Sequence, residues 1–177
     1  RTRKGHPMKS RVFVPPVAFA LCCILAGCSA LATAEQKSIY HDDARIAQEV
    51  DTYSIVDSRG SLFDRHLGEL NGPETRLWLS VPEGGGAFWL DYDATVRAGS
   101  FKIVLVNGEN VDVVCEGTDV GSRTFTLEPG DYALKAVGTH ASVELNLRAS
   151  EGVAAANPDG PLGDPRNVEL EPLEDNA

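Results

Sequence analysis

Between residues 77 and 147 hydrophobic side chains recur at every second position, which is the period of a strand with one buried face. Leu77, Leu79 and Val81 alternate with Trp78 and Ser80, and Phe88, Leu90 and Tyr92 alternate with Trp89 and Asp91. Phe101, Ile103 and Leu105 alternate with Lys102, Val104 and Val106. The pattern resumes in Val111, Val113 and Cys115, in Phe125 and Leu127, in Tyr132, Leu134 and Ala136, and in Val143, Leu145 and Leu147. Turn chemistry separates many of these runs, at Glu83-Gly84-Gly85-Gly86, Asn107-Gly108 and Glu128-Pro129-Gly130-Asp131. Short, evenly spaced strands without a long helical pattern between them predict an all-β fold over residues 49–150. The expected architecture is an antiparallel β-sandwich, Ig-like or jelly-roll-like. About 100 residues suffice for one core and are too few for two.

The same pattern proposes a register and a candidate site. A hairpin closed by Pro82–Gly85 that pairs Val81 with Gly86 sets Leu79 against Phe88 and Leu77 against Leu90. A slip of one residue would divide these aliphatics between the two faces. That register also sets Trp78 opposite Trp89 on the outer side, beside Arg76 and Asp91. Adjacent exposed indoles next to charged groups make a stacking platform for a glycan or a protein partner. The competing expectation is that the N-terminal segment, the tail or a second layer covers the rings.

A local motif supports the architecture. Leu127-Glu128-Pro129-Gly130-Asp131-Tyr132-Ala133-Leu134 places a tyrosine at the start of a strand, just after a Pro-Gly turn. It resembles the tyrosine corner of Greek-key sandwiches, in which the phenol bonds back to the preceding turn. The Cys…Trp…Cys spacing of antibody domains is absent.

The first part of the chain has a different character. Lys9 and Arg11 precede an apolar run from Val12 to Leu25, broken only by Pro15 and Pro16, and small residues follow at Ala26, Gly27, Ser29 and Ala30. Met8 is read as the biological start, and residues 1–7 add no recognisable feature. The apolar run is shorter than the roughly 20 residues a spanning helix needs, so residues 8–27 read as a signal segment. Leu25-Ala26-Gly27-Cys28 resembles the lipobox of bacterial lipoproteins. The resemblance implies diacylglyceryl modification of the Cys28 thiol, cleavage after Gly27 and acylation of the new amino terminus. The partner implied is a membrane, reached through lipidated Cys28, with the body on the extracytoplasmic side of a cell membrane or outer membrane. Ser29, in place of Asp, goes with outer-membrane sorting where the envelope has two membranes. Two or more acyl chains anchor stably where one does not.

Cleavage alters the charge. Residues 1–27 hold five of the 16 basic residues and no acidic one, which leaves 11 against 26 acidic residues, a net charge of −15. Such a body repels nucleic acid and anionic lipid, so no nucleic-acid partner is expected. Residues 28–48 read as a tether, with a short helix near Asp42–Glu49. Residues 151–177 carry four prolines, seven acidic residues and one base, and read as a disordered tail.

Little chemistry remains in the mature part. Cys22 and Cys23 leave with the signal and Cys28 is lipidated, so Cys115 is left alone in an apolar run and reads as buried and inert. G-x-S-x-G, Ser-x-x-Lys, Walker and G-x-G-x-x-G patterns are absent, as is H-E-x-x-H. His41, His66 and His140 are scattered, so no metal and no cofactor are expected. Asp91 and Asp93, with Glu116 and Asp119, are the candidate oxygens for a calcium-assisted variant. The leading expectation is a non-catalytic binding or envelope-associated module. A carbohydrate-binding or calcium-assisted domain comes second and an enzyme third.

Overall fold

The computed structural model describes residues 35–149 and 153–156. Cys28, the segment 8–27 read above as a signal, and residues 157–177 lie outside the described residues. The chain adopts the expected all-β, antiparallel architecture. Its strands are β1 (Ser54–Gly60), β2 (Asp64–Val81), β3 (Gly86–Asn107), β4 (Asn110–Glu116), β5 (Asp119–Leu127), β6 (Gly130–Ala149) and β7 (Ala154–Ala156). Hydrogen bonds join them in one sheet of order β1-β2-β6-β3-β4, with β5 also paired to β3 and β7 also paired to β2.

Three strands are far longer than the period implied. β3 runs 22 residues and unites the Phe88–Tyr92 and Phe101–Leu105 segments. β6 runs 20 and unites Tyr132–Ala136 with Val143–Leu147, so His140 lies within a strand. β2 runs 18 residues. The ends of β3 serve different neighbours, β5 along Gly86–Ala94 and β4 along Lys102–Asn107.

What breaks the hydrophobic period is irregularity inside these strands. Pairing shifts between Leu67 and Gly72 on β2, and between Val96 and Ser100 on β3. On β6, Gly138–Ala141 pairs across the same irregular stretches. Gly99 marks one such point: its φ is +72°, and a Cβ there would stand 2.2 Å from the His140 carbonyl oxygen. Alternation changes parity across each irregularity. On β3 the enclosed residues are Phe88, Leu90, Tyr92 and Ala94, then Phe101, Ile103 and Leu105. On β6 they are Leu134 and Ala136, then Ala141, Val143, Leu145 and Leu147. All of them join one core cluster, to which β2 adds Leu67, Leu70, Leu77, Leu79 and Val81. A further shift between Ile103 and Val104 corrects the reading of β4. Val113 is exposed, whereas Val114 and Cys115 are enclosed.

Residues 35–51 do not hang free as a tether. Ile39, Tyr40 and Ile46 are at most 3 % exposed, packed with Val104, Val106, Ala133 and Val137 on the sheet face turned away from the core. The helix is shorter than expected, α1 (Asp43–Ile46), and the Asp42 carboxylate caps it by accepting from the Arg45 N–H. Lys135 anchors this strap. Its Nζ donates to the Gln48 carbonyl and to Asp51 Oδ1, both at 2.7 Å, while Asp51 Oδ2 accepts from the Thr75 N–H at 2.5 Å. Lys102 lies over the Tyr40 ring, and the Tyr40 hydroxyl donates to Glu116.

Two further expectations meet the structure here. Tyr132 Oη donates to the Glu128 carbonyl at 3.1 Å, which is the bond that defines a tyrosine corner. The tail boundary needs correction, because Val153 reaches the core and Ala154–Ala156 pair with Trp78–Ser80. Residues 153–156 therefore belong to the sheet. Enclosing Val153 and pairing β7 offset the ordering entropy that the composition of the tail seemed unable to meet.

Two predictions follow from these contacts. Asp51→Ala leaves a buried ammonium without its carboxylate and should destabilise the domain by about 3–5 kcal/mol in urea. Asp51→Ala combined with Lys135→Met should recover most of that loss. The second concerns alkaline pH. Burial pushes the Cys115 thiol up to about 11, and burial also raises Tyr40 and Tyr92, next to Glu116 and Asp119 respectively. The unfolded chain then ionises first, so stability is full below pH 9 and falls as pH climbs towards 11. Melting temperature should drop across that window, and Cys115→Val should flatten part of the drop.

Candidate functional site

The expected platform of two indoles does not form. β2 and β3 are consecutive but not paired: Val81 stands opposite Gly130 and Gly86 opposite Leu127. The Pro82–Gly85 turn, closed by the Gly85 N–H donating to the Pro82 carbonyl at 3.0 Å, links two different strand pairs. Trp78 consequently neighbours Ala133 and Ala156, and Trp89 neighbours Thr124. The parity of the aliphatics is as expected, since Leu77, Leu79, Val81, Phe88 and Leu90 share the core. Alternation places residues on faces, and it does not choose the partner strand.

The four candidate residues separate into two pairs. Trp78 is half-buried against the strap cluster of Ile39, Tyr40 and Ile46, so for this ring the covering N-terminal segment is what the structure contains. Arg76 is enclosed. A shift between Thr75 and Leu77 turns it away from Trp78, and its guanidinium donates to the Leu62 carbonyl and to Glu74 Oε1, the latter at 3.3 Å. Arg65 reaches the same Glu74 oxygen at 3.0 Å, so two guanidinium groups share one buried carboxylate. This cluster supports the fold and is closed to a ligand.

Trp89 and Asp91 stay together on the face of the sheet that the strap leaves open. Three strands present side chains there in register. Trp89 neighbours Thr124; Ser122, Asp91 and Arg148 form the next row; Val120, Asp93 and Asn146 form the row after it. Rows lie about 7 Å apart along the strands and columns about 4.8 Å apart across them. The last two rows line an open groove of about 440 Å³. Its floor depends on Gly121, where a Cβ would come 2.6 Å from Tyr92 Oη. With no side chain at 121, the Tyr92 hydroxyl reaches Asp119 Oδ2 at 3.1 Å beneath the groove.

The rest of this face is polar and ionised. His66 Nδ1 lies 2.9 Å from Glu144 Oε1, and Arg97 approaches the same oxygen at 3.3 Å. The hydrogen bond with His66 holds the Glu144 carboxyl below its ordinary range. Near the irregularity in β6, bonds from Asn71 and then His140 lower Glu69 in the same way. The calcium candidates are dispersed. Asp91 and Asp93 border the groove, Asp119 accepts from Tyr92 and Glu116 accepts from Tyr40. Among the described residues no three His, Cys, Asp or Glu side chains gather as a metal-holding group. Cys115 is enclosed and held in its thiol form. No family model, no curated protein and no solved structure matches the chain.

The sequence pattern missed Arg148 and Ser122 as neighbours of Asp91, and Asn146 as the neighbour of Asp93. Each was legible as an outward residue, but only the pairing of β5 and β6 with β3 brings them together. The division of the candidates is testable. Arg76→Ala should cost about 2–4 kcal/mol: Arg65 still holds Glu74, but the Leu62 carbonyl loses its donor and an enclosed side chain is emptied. The exposed Asp93→Ala should change stability by less than about 0.5 kcal/mol.

Proposed function

We propose that the protein is a lipid-anchored, extracytoplasmic binding module without catalytic chemistry, held at an envelope membrane through Cys28. The observation that carries this reading is Leu25-Ala26-Gly27-Cys28 at the end of a charged-then-apolar segment. The packing of the strap adds a consequence. Ile39 is fixed against the sheet, and the eleven residues from Cys28 to it span at most about 40 Å. A body tied at Cys28 therefore works close to the bilayer, and its partner is one that reaches the membrane surface. The face that holds the partner is the open one bearing Trp89, Asp91, Asn146 and Arg148. The strap covers the opposite side near Trp78, and Arg76 is committed to Glu74. Cys115, enclosed and protonated, is unsuited to nucleophilic work, which favours binding over catalysis.

Anchoring is tested in cells by fractionation and by metabolic labelling with an alkyne-bearing palmitate. The wild-type chain should take up the label and sediment with membranes. Cys28→Ala should lose the label, and a Cys28→Ala chain still held by membranes would overturn the assignment.

A further inference from the structure

We infer that the groove across β5, β3 and β6 binds an uncharged glycan, laid across the strands with a sugar ring against Trp89; this deepens the reading of the domain as a binding module and rests on it. Sugar hydroxyls both donate and accept, so a surface that recognises them must offer both functions within a few ångströms. Asp91 and Asp93 only accept, Arg148 only donates, and Asn146 and Ser122 do both. These five line one groove in two adjacent rows, each spanning three paired strands. Rows crossing three strands offer polar contacts over about 10 Å, which suits a short polymer better than a single compact group. Trp89, half-buried, lies one row beyond Asp91 on the same face, and its exposed part supplies an apolar edge against which a sugar ring packs.

Other ligand chemistries fit less well. An anion would meet Arg148 but also two carboxylates in adjacent rows. An apolar ligand would meet Val120, Tyr92 and the carbon stems of the neighbouring side chains, but it would bury Asp91, Asp93 and Arg148 against a surface that cannot bond them. Asp91 and Asp93 repel an acidic glycan at contact range, where salt does not screen them, whereas a neutral chain is indifferent to them. Asp91 and Asp93 are therefore the selectivity elements. They bond hydroxyls and exclude uronic acids.

The test uses the full chain purified in detergent and isothermal titration with three probes: cellotetraose, the N-acetylglucosamine tetramer and tetragalacturonate. Saturable binding of at least one neutral tetrasaccharide is expected, with no binding of tetragalacturonate. Asn146→Ala should weaken the neutral probe at least ~5-fold without moving the melting temperature. Asp91→Asn with Asp93→Asn should retain the neutral probe and admit tetragalacturonate. The proposal is overturned if neither neutral probe binds, if Asn146→Ala leaves their affinity unchanged, or if the wild-type chain binds the acidic probe equally well. Such a failure leaves the anchoring of Cys28 untouched, because labelling and fractionation read that separately.

Discussion

Alternation in a strand obliges every second side chain to one face, so a strand of 20 residues cannot keep one apolar set inward while its sheet bends around a core. The domain depends on how β2, β3 and β6 meet that constraint. Each carries an irregularity at the same level, and on β3 and β6 the enclosed set passes from even to odd numbers across it. Gly99, pressed against the His140 carbonyl, admits no side chain at one of these points. The consequence is a single connected sheet whose two ends share one core. A different edge strand can then pair at each end of β3, and the sheet acquires two outward surfaces with separate fates.

Those fates are decided by residue type. The outward positions of the β4 end include Val104, Val106, Ala133 and Val137, too apolar to leave in water, and the strap closes over them with Ile39, Tyr40 and Ile46. Two lysines interrupt this apolar surface, and each is matched from the strap. Asp51 and the Gln48 carbonyl hold Lys135, while Asp43 and the Tyr40 ring approach Lys102. Buried ammonium groups are costly without such partners and tolerate one arrangement, so they fix where the strap lies. At the β5 end the outward residues are mostly polar, Asp91, Asp93, Ser122, Thr124, Asn146 and Arg148 beside Trp89 and Val120, and the strap does not cover this end.

Much of this was legible in the residues, and the limits have physical causes. The inward set on β2, β3 and β6 follows from period two. The tyrosine corner follows from Pro-Gly followed by tyrosine. Strand length did not, because a parity change reads alike whether a turn or a bulge produces it. Ala98-Gly99-Ser100 has the composition of a loop, yet it sits within β3. Pairing was hidden as well, since the Pro82–Gly85 turn has hairpin chemistry but the residues flanking it find β6 and β5. The Trp78–Trp89 platform failed on that point, and the strap covers Trp78 besides. At Val153–Ala156 composition misled, because four small apolar residues reach an open sheet edge before the acidic prolines begin.

Charge gains a different meaning once the structure is known. Residues 28–177 hold 11 basic residues, but Arg65 and Arg76 share the buried Glu74, Lys135 is held by Asp51, and the enclosed Lys102 lies near the exposed Asp43. The accessible surface is therefore depleted of cations beyond what the sequence alone conveys. Arg148 lies on the open face, beside Asp91 on β3. A donor placed among acceptors on an otherwise anionic surface gives orientation without inviting bulk anions, since their approach is resisted from farther away than the contact reaches. Fold and charge thus act together. By drawing its cations inward to hold the strap and the bulged β2, the chain leaves outside a face suited to partners recognised by hydroxyl and amide groups.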